Sequence, residues 1–193
     1  MSIGPISKIE AVNYLLSMIG EMPVNSIDDS QFTPSNLAEQ EIDRASREVQ
    51  MEGLNCNYEE DYPVSPDSSD EIQIPSGVLA VDCVDRNRNL VWRSGKLYDK
   101  DNHTFKFEDS IRVNIIWGLD FENLPEHIRQ YIVIRAGRAF QDKYVGSELL
   151  HKLSQQDELE ARSKMLSVEE ENKDYNFLTS PISYYGSLGR NRW

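Results

Sequence analysis

The sequence predicts an α+β protein: a four-helix bundle-like domain carrying an antiparallel β insertion and followed by an extended C-terminal tail. Three observations carry that prediction. Apolar residues recur at helical spacing near the start of the chain and again over 124–171. Between 72 and 117 the period changes to two, in short runs rich in β-branched and aromatic residues. After residue 172 no period is sustained. The implied division is a discontinuous helical domain (1–58 with 118–172), an acidic connector at 59–71, the β-rich insertion at 72–117 and the tail at 173–193.

The first helix is announced by Ser7-Lys8-Ile9-Glu10, which has the form of a capping box. Ile9, Val12, Leu15, Leu16 and Ile19 share a face after it, and Gly20 supplies a stop. Pro23, Asn25, Asp28, Asp29 and Ser30 mark the next stretch as a loop. A second helix starts at Thr33-Pro34 and ends near Gly53. Its Ala38, Ile42, Ala45 and Val49 are spaced by four, three and four, which gives one narrow apolar face.

The stretch 59–71 holds six acids, no base, two prolines and several serines, and reads as an exposed connector. The insertion offers runs at 72–75, 78–84, 90–93, 96–99, 104–107 and 111–118, with Arg88-Asn89 and Ser94-Gly95 as possible hairpin breaks. In the last run Ile111, Val113 and Ile115 point one way, Arg112 and Asn114 the other.

Pro125 and Glu126 suit the first turn of a third helix. Ile128, Ile132, Ala136, Ala139 and Phe140 form its stripe, which Val133, Ile134 and Tyr144 widen. Gly146-Ser147 ends it and caps a fourth helix. That helix starts on Leu149, Leu150 and Leu153, but its later apolar residues, Leu159, Met165, Leu166 and Val168, drift around the axis. The third helix reads as core and the fourth as a strut. The tail mixes Tyr175, Phe177, Tyr184, Tyr185 and Trp193 with Arg190 and Arg192, a composition favoured at interfaces.

In 193 residues there are 33 acidic and 20 basic side chains, a formal charge of -13. Gripping nucleic-acid phosphate relies on clustered Lys and Arg, so that role is disfavoured. Cys56 and Cys83 are too few for a disulfide scaffold. The N-terminus lacks a basic region followed by a long apolar core, and no run reaches the roughly 18 apolar residues of a membrane span. A soluble chain made in the cytoplasm is expected.

No catalytic constellation is visible. His103, His127 and His151 stand apart without a zinc motif, and neither a phosphate loop nor a nucleophile elbow occurs. Asp157, Glu158 and Glu160 point to different sides of a helix, and Glu169-Glu170-Glu171 reads as a solvated face. Cys56 has no basic neighbour, and Cys83 in its apolar strand reads as a small buried hydrophobe. No catalytic, cofactor or metal residue is expected. Two classes remain: a ring or connector subunit, or a soluble non-enzymatic protein-binding adaptor or regulatory module.

The stretches 11–27 and 112–147, with the acidic helix after them, carry a resemblance. Its marks are Ala11-Val12-Asn13, Ile19-Gly20-Glu21, Pro23-Val24, Val113-Asn114-Ile115-Ile116, Leu124-Pro125-Glu126, Arg138 with Phe140, and Glu158 to Arg162. Over roughly 8–180 the chain resembles the tail tubular protein A family of T7-like short-tailed phages. The resemblance implies a helical bundle with a β-rich insertion and no catalytic residues. It also implies a head-to-tail adaptor in the virion tail, made in the host cytoplasm. In that family twelve copies form a ring between the portal protein and the tail nozzle (tail tubular protein B). Genomic DNA is ejected through the ring's channel without sequence-specific binding, and nothing inserts in a membrane.

On that reading a closed ring needs a heterologous contact, for which Leu149, Leu153, Leu159, Met165 and Leu166 are candidates. Trp92, Arg93, Tyr98 and Phe107 are candidates for contact through the insertion, to a neighbour or the nozzle. Phe177, Tyr184, Tyr185 and Trp193 are candidates for a tail contact to the portal or a neighbour. An acidic lumen wall would repel phosphate, which makes Glu41, Glu48, Asp157, Glu158 and Glu160 candidate lumen acids.

Overall fold

A computed structural model describes residues 4–27, 33–85, 88–144, 146 and 148–179, except for the side chains of 148–153 and 173–179. The fold is α+β. In chain order it comprises α1 (Lys8–Met18), α2 (Pro34–Gln50), β1 (Tyr58–Val64), β2 (Val78–Cys83), β3 (Leu90–Arg93), β4 (Lys96–Asp99), β5 (Ile111–Trp117), a 3-10 turn (Phe121–Asn123), α3 (Glu126–Tyr144) and α4 (Glu148–Thr179). The chain divides into two compact units, 1–46 with 124–193, and 47–123.

In the first unit α3 packs against both α1 and α4. α1 begins with the predicted capping box: Ser7 accepts from the Glu10 N–H, and the Glu10 carboxylate accepts from the Ser7 N–H. Val12, Leu15 and Leu16 are buried from α1, and Ile128, Ile132, Ala136 and Phe140 from α3. The two helices approach closely at Gly137, where a Cβ would lie 2.7 Å from Met18 Sδ. Ala38, Ile42 and Ala45 of α2 are buried as their spacing predicts. Lys8 of α1 bridges Glu39 and Asp43 of α2, at 2.9 Å each.

In the second unit β5 lies between β1 and β2 in an antiparallel sheet, and β3 pairs with β4. Ile111, Val113 and Ile115 are buried with Ile72, Leu97 and Phe107, while Arg112 is exposed, so the alternation in β5 is as read. The Ser94-Gly95 turn closes β3 onto β4 with both residues at positive φ, 53° and 78°, the backbone of a two-residue hairpin. Arg88-Asn89 does not close one, because β2 pairs with β5 instead of β3. The runs at 72–75 and 104–107 make only isolated bridges, yet Ile72, Ile74 and Phe107 still reach the core.

Two boundaries need correction. The 59–71 stretch is no plain connector, since β1 occupies its first half and pairs with β5. Its acids sit on the solvated side of an edge strand and only Val64 is buried, so composition hid it. A register shift between Glu59 and Tyr62 brings Asp61 to φ 58°, where its carboxylate pairs with Arg112 at 2.8 Å. At the other end, α4 runs through Thr179, so 173–179 is helix and not extended tail. No glycine or proline interrupts the chain between Gly146 and Pro181.

Candidate interaction surfaces

The seam between α3 and α4 is where the fourth helix departs most from expectation. Its buried positions are Ser154, Glu158, Met165 and Glu169, with Ala161 half-buried between them. Steps of four, three, four and four make a regular stripe, but a largely polar one. Glu158, 9 % exposed, accepts from Arg135 Nη1 at 3.0 Å. Its other oxygen faces Arg138 Nε as an ion pair without hydrogen-bond alignment. Two turns and more further on, His127 Nε2 and Glu169 Oε1 lie 2.8 Å apart. α4 is therefore clipped to α3 at two heights, by an ion-pair cluster and by a histidine–carboxylate contact, and Glu169 is not part of a solvated face.

This changes the candidate sets. Met165 is 1 % exposed and belongs to the interior of the chain, so it is unavailable to a neighbour. Leu159 and Leu166 are exposed, and the side chains of Leu149 and Leu153 lie outside the described residues. Of the lumen acids, Glu158 is committed to Arg135 and Arg138, and Glu41, 5 % exposed, pairs with Arg44 and Lys143. Burial of both removes them from any wall facing DNA. Glu48, Asp157 and Glu160 remain exposed.

In the second unit Phe107 is a core residue, and cannot anchor a partner. Trp92 is 41 % exposed. Arg93 lies over the Tyr98 ring at 4.5 Å, and Tyr98 packs on Phe105 with centroids 4.7 Å apart. A hairpin with Trp, Tyr and Arg at its surface has the composition of an interface anchor. The Phe177 side chain, Tyr184, Tyr185 and Trp193 lie outside the described residues.

Sequence reading passed over two polar residues that fix the second unit. Asn57 is buried. Its Nδ2 donates to the carbonyls of Gln50 and Trp117, and its Oδ1 accepts from the Leu54 N–H. Gln50 exchanges two bonds with the backbone of Leu119, at 2.7 and 2.9 Å. A polar residue just after a helix looks like loop; only the return of the chain at 117–119 gives it partners.

A groove of about 430 Å³ runs between α1, α3 and α4 in the first unit. Tyr14, Met18, Ile134, Ala161 and Val168 supply its apolar wall, with Asp157, Glu160 and Lys164 along the α4 side. Among the described residues no three His, Cys, Asp or Glu side chains gather as a metal site. The Cys83 thiol is raised above its ordinary pKa by burial, which disfavours a thiolate. No helix of the described residues is long and apolar enough to cross a membrane.

The charged side chains of this fold join helices and fix turns, and large apolar side chains such as Tyr14, Met22 and Trp92 stand exposed. Residues 9–175 match the family model described as tail tubular protein, and the chain belongs to that family, whose members are structural proteins of the phage tail. It is 26 % identical over 187 residues to Tail tubular protein A of Klebsiella phage KP34, covering 96 % of this chain and 98 % of that protein.

Proposed function

We propose that the chain is the head-to-tail adaptor subunit of a short-tailed phage. Copies of it, twelve on the family resemblance, close into a ring between the portal and the tail nozzle and enclose the channel through which the genome is ejected. The observation that carries this reading is the similarity to a tail tubular protein A along nearly the whole chain. On this reading the helical unit, where α3 packs against α1 and α4, supplies the body of each subunit, and the sheet unit offers a second contact surface.

The charge supports the channel role. Any exposed acid that faces the channel would repel phosphate, Glu48 on the sheet unit being the candidate outside the groove, and a net charge of -13 opposes adhesion of DNA during ejection. The exposed Leu159 and Leu166 of α4, and Trp92 with Arg93 on the hairpin, supply surfaces for neighbouring subunits and the nozzle.

Native mass measurement and image reconstruction of the chain, alone and mixed with portal, test the proposal. The expected result is a closed ring of twelve that docks on the portal and keeps a DNA-sized channel. A chain that remains monomeric and ignores the portal would instead favour a protein-binding adaptor of another kind.

A further inference from the structure

We infer that the loop Glu21-Met22-Pro23 is a preformed knob that seats in the α1–α3–α4 groove of a second copy of the chain. The inference rests on the multi-copy reading above and gives it a specific contact.

Met22 is 82 % exposed, the most exposed large apolar side chain among the described residues. An exposed methionine alone means little. What sets this one apart is that the backbone is fixed on both sides of it. Before it, Gly20 turns into the left-handed region at φ 78°, the Gly20 N–H donates to Ser17 at 3.2 Å, and the Glu21 N–H reaches back to Leu16 at 3.0 Å. That is a Schellman closure of α1. After it, the Asn13 side chain grips Val24 from both ends. The Val24 N–H donates to Oδ1 at 2.8 Å, and Nδ2 donates to the Val24 carbonyl at 3.0 Å. Pro23 fixes its own φ and restricts Met22 before it to extended backbone. A side chain presented on so fixed a loop loses little further backbone freedom on docking.

The groove offers what such a knob needs. Its wall of Met18, Tyr14, Ile134, Ala161 and Val168 suits a flexible thioether, and about 430 Å³ exceeds the volume of one methionine side chain. Charge sets the direction. Glu21 precedes Met22, and Lys164 stands on the groove's α4 side; among the described residues neither has an ion-pair partner. Asp157 and Glu160 lie further toward the start of α4, so Glu21 must approach from the Val168 end. Knob and groove are different patches of one chain, so each copy can give its knob to one neighbour and take the knob of another, the heterologous pattern that a ring requires.

The test uses the full chain, with assembly read by native mass and sedimentation and folding checked by circular dichroism. Met22→Asp, Glu21→Lys and Lys164→Glu should each weaken assembly roughly tenfold or more, with the folded spectrum kept. Glu21→Lys combined with Lys164→Glu should restore it. Asn13→Ala, which touches only the loop's support, should weaken assembly to a smaller extent. Mixing Met22→Cys chains with Val168→Cys chains, both in a background lacking Cys56 and Cys83, should give a disulfide-linked pair across chains. Variants that assemble like wild type, or a double exchange no better than its singles, overturn the knob while leaving the adaptor reading standing. A wild-type chain that never forms a multimer, with or without portal, overturns both.

Discussion

Glu158 of α4 and Arg135 of α3 meet at 3.0 Å, and the same carboxylate also faces Arg138. A helix with no continuous leucine stripe is thereby fixed in register against the core helix. Arg135 and Arg138 keep partial solvent access, so the cluster falls between an exposed ion pair, worth about 0–1 kcal/mol, and a fully buried one whose disruption costs about 3–5 kcal/mol. Glu158→Ala should cost about 1–3 kcal/mol. It should also raise amide exchange along 154–169. Leu159→Ala, at an exposed neighbouring position, should stay within about 0.5 kcal/mol of wild type. Urea unfolding with exchange mass spectrometry checks both; equal effects at the two positions would count against the clip.

Asn57 is expected to matter more than any exposed polar residue of the sheet unit. Asn57→Ala strands the Leu54 N–H and takes one donor each from the carbonyls of Gln50, which keeps its bond from the Gly53 N–H, and Trp117, a loss of about 1–3 kcal/mol. Asn57→Asp should be no better, since an ionised carboxylate cannot donate to two carbonyls. Denaturant midpoints at unchanged slope would register the difference.

The start of α1 should respond to acid. Hydrogen bonds from the Ser7 N–H and hydroxyl hold the Glu10 carboxyl below its ordinary value of 4.5. A depressed carboxylate stabilises the fold above the unfolded value, and that contribution disappears as pH falls through the folded one. Glu10→Ala should therefore lower the melting temperature at pH 7, and the gap from wild type should close as pH drops below 4.5. A gap that widens in acid would contradict the capping box as its source.

At Gly137 two effects oppose each other. An added Cβ would sit 2.7 Å from Met18 Sδ, but that atom is near the end of a flexible side chain, and Tyr14 is at an easier 3.4 Å. Replacing a mid-helix glycine with alanine gains about 1 kcal/mol. Gly137→Ala should thus stay within about 1 kcal/mol of wild type. Gly137→Val, which cannot be relieved by Met18 alone, should lose about 2 kcal/mol or more. Thermal melts of the pair give the answer.

The local signals in the sequence were sufficient wherever structure is made by neighbours along the chain. Ser7 and Glu10 at capping distance, the spacing of Ala38, Ile42 and Ala45, and the alternation of Ile111, Val113 and Ile115 all became what their spacing dictates, because backbone periodicity fixes which side chains share a face. The α+β class and the tail tubular family were legible for the same reason, as ordered local patterns spread over most of the chain. What only the tertiary structure decided were pairings between distant segments. An acidic stretch became strand β1 because β5 supplied its backbone partners. Glu41, Glu158 and Glu169 left the solvent because Lys143, Arg135, Arg138 and His127 arrived opposite them from α3. Residue type alone assigns such carboxylates to the surface, since burying a charge is costly without a partner, and the partner is more than ten residues away in every one of these pairs across helices. The same holds for the groove beside Met165: the fourth helix's apolar residues looked scattered until α1 and α3 showed which of them face inward.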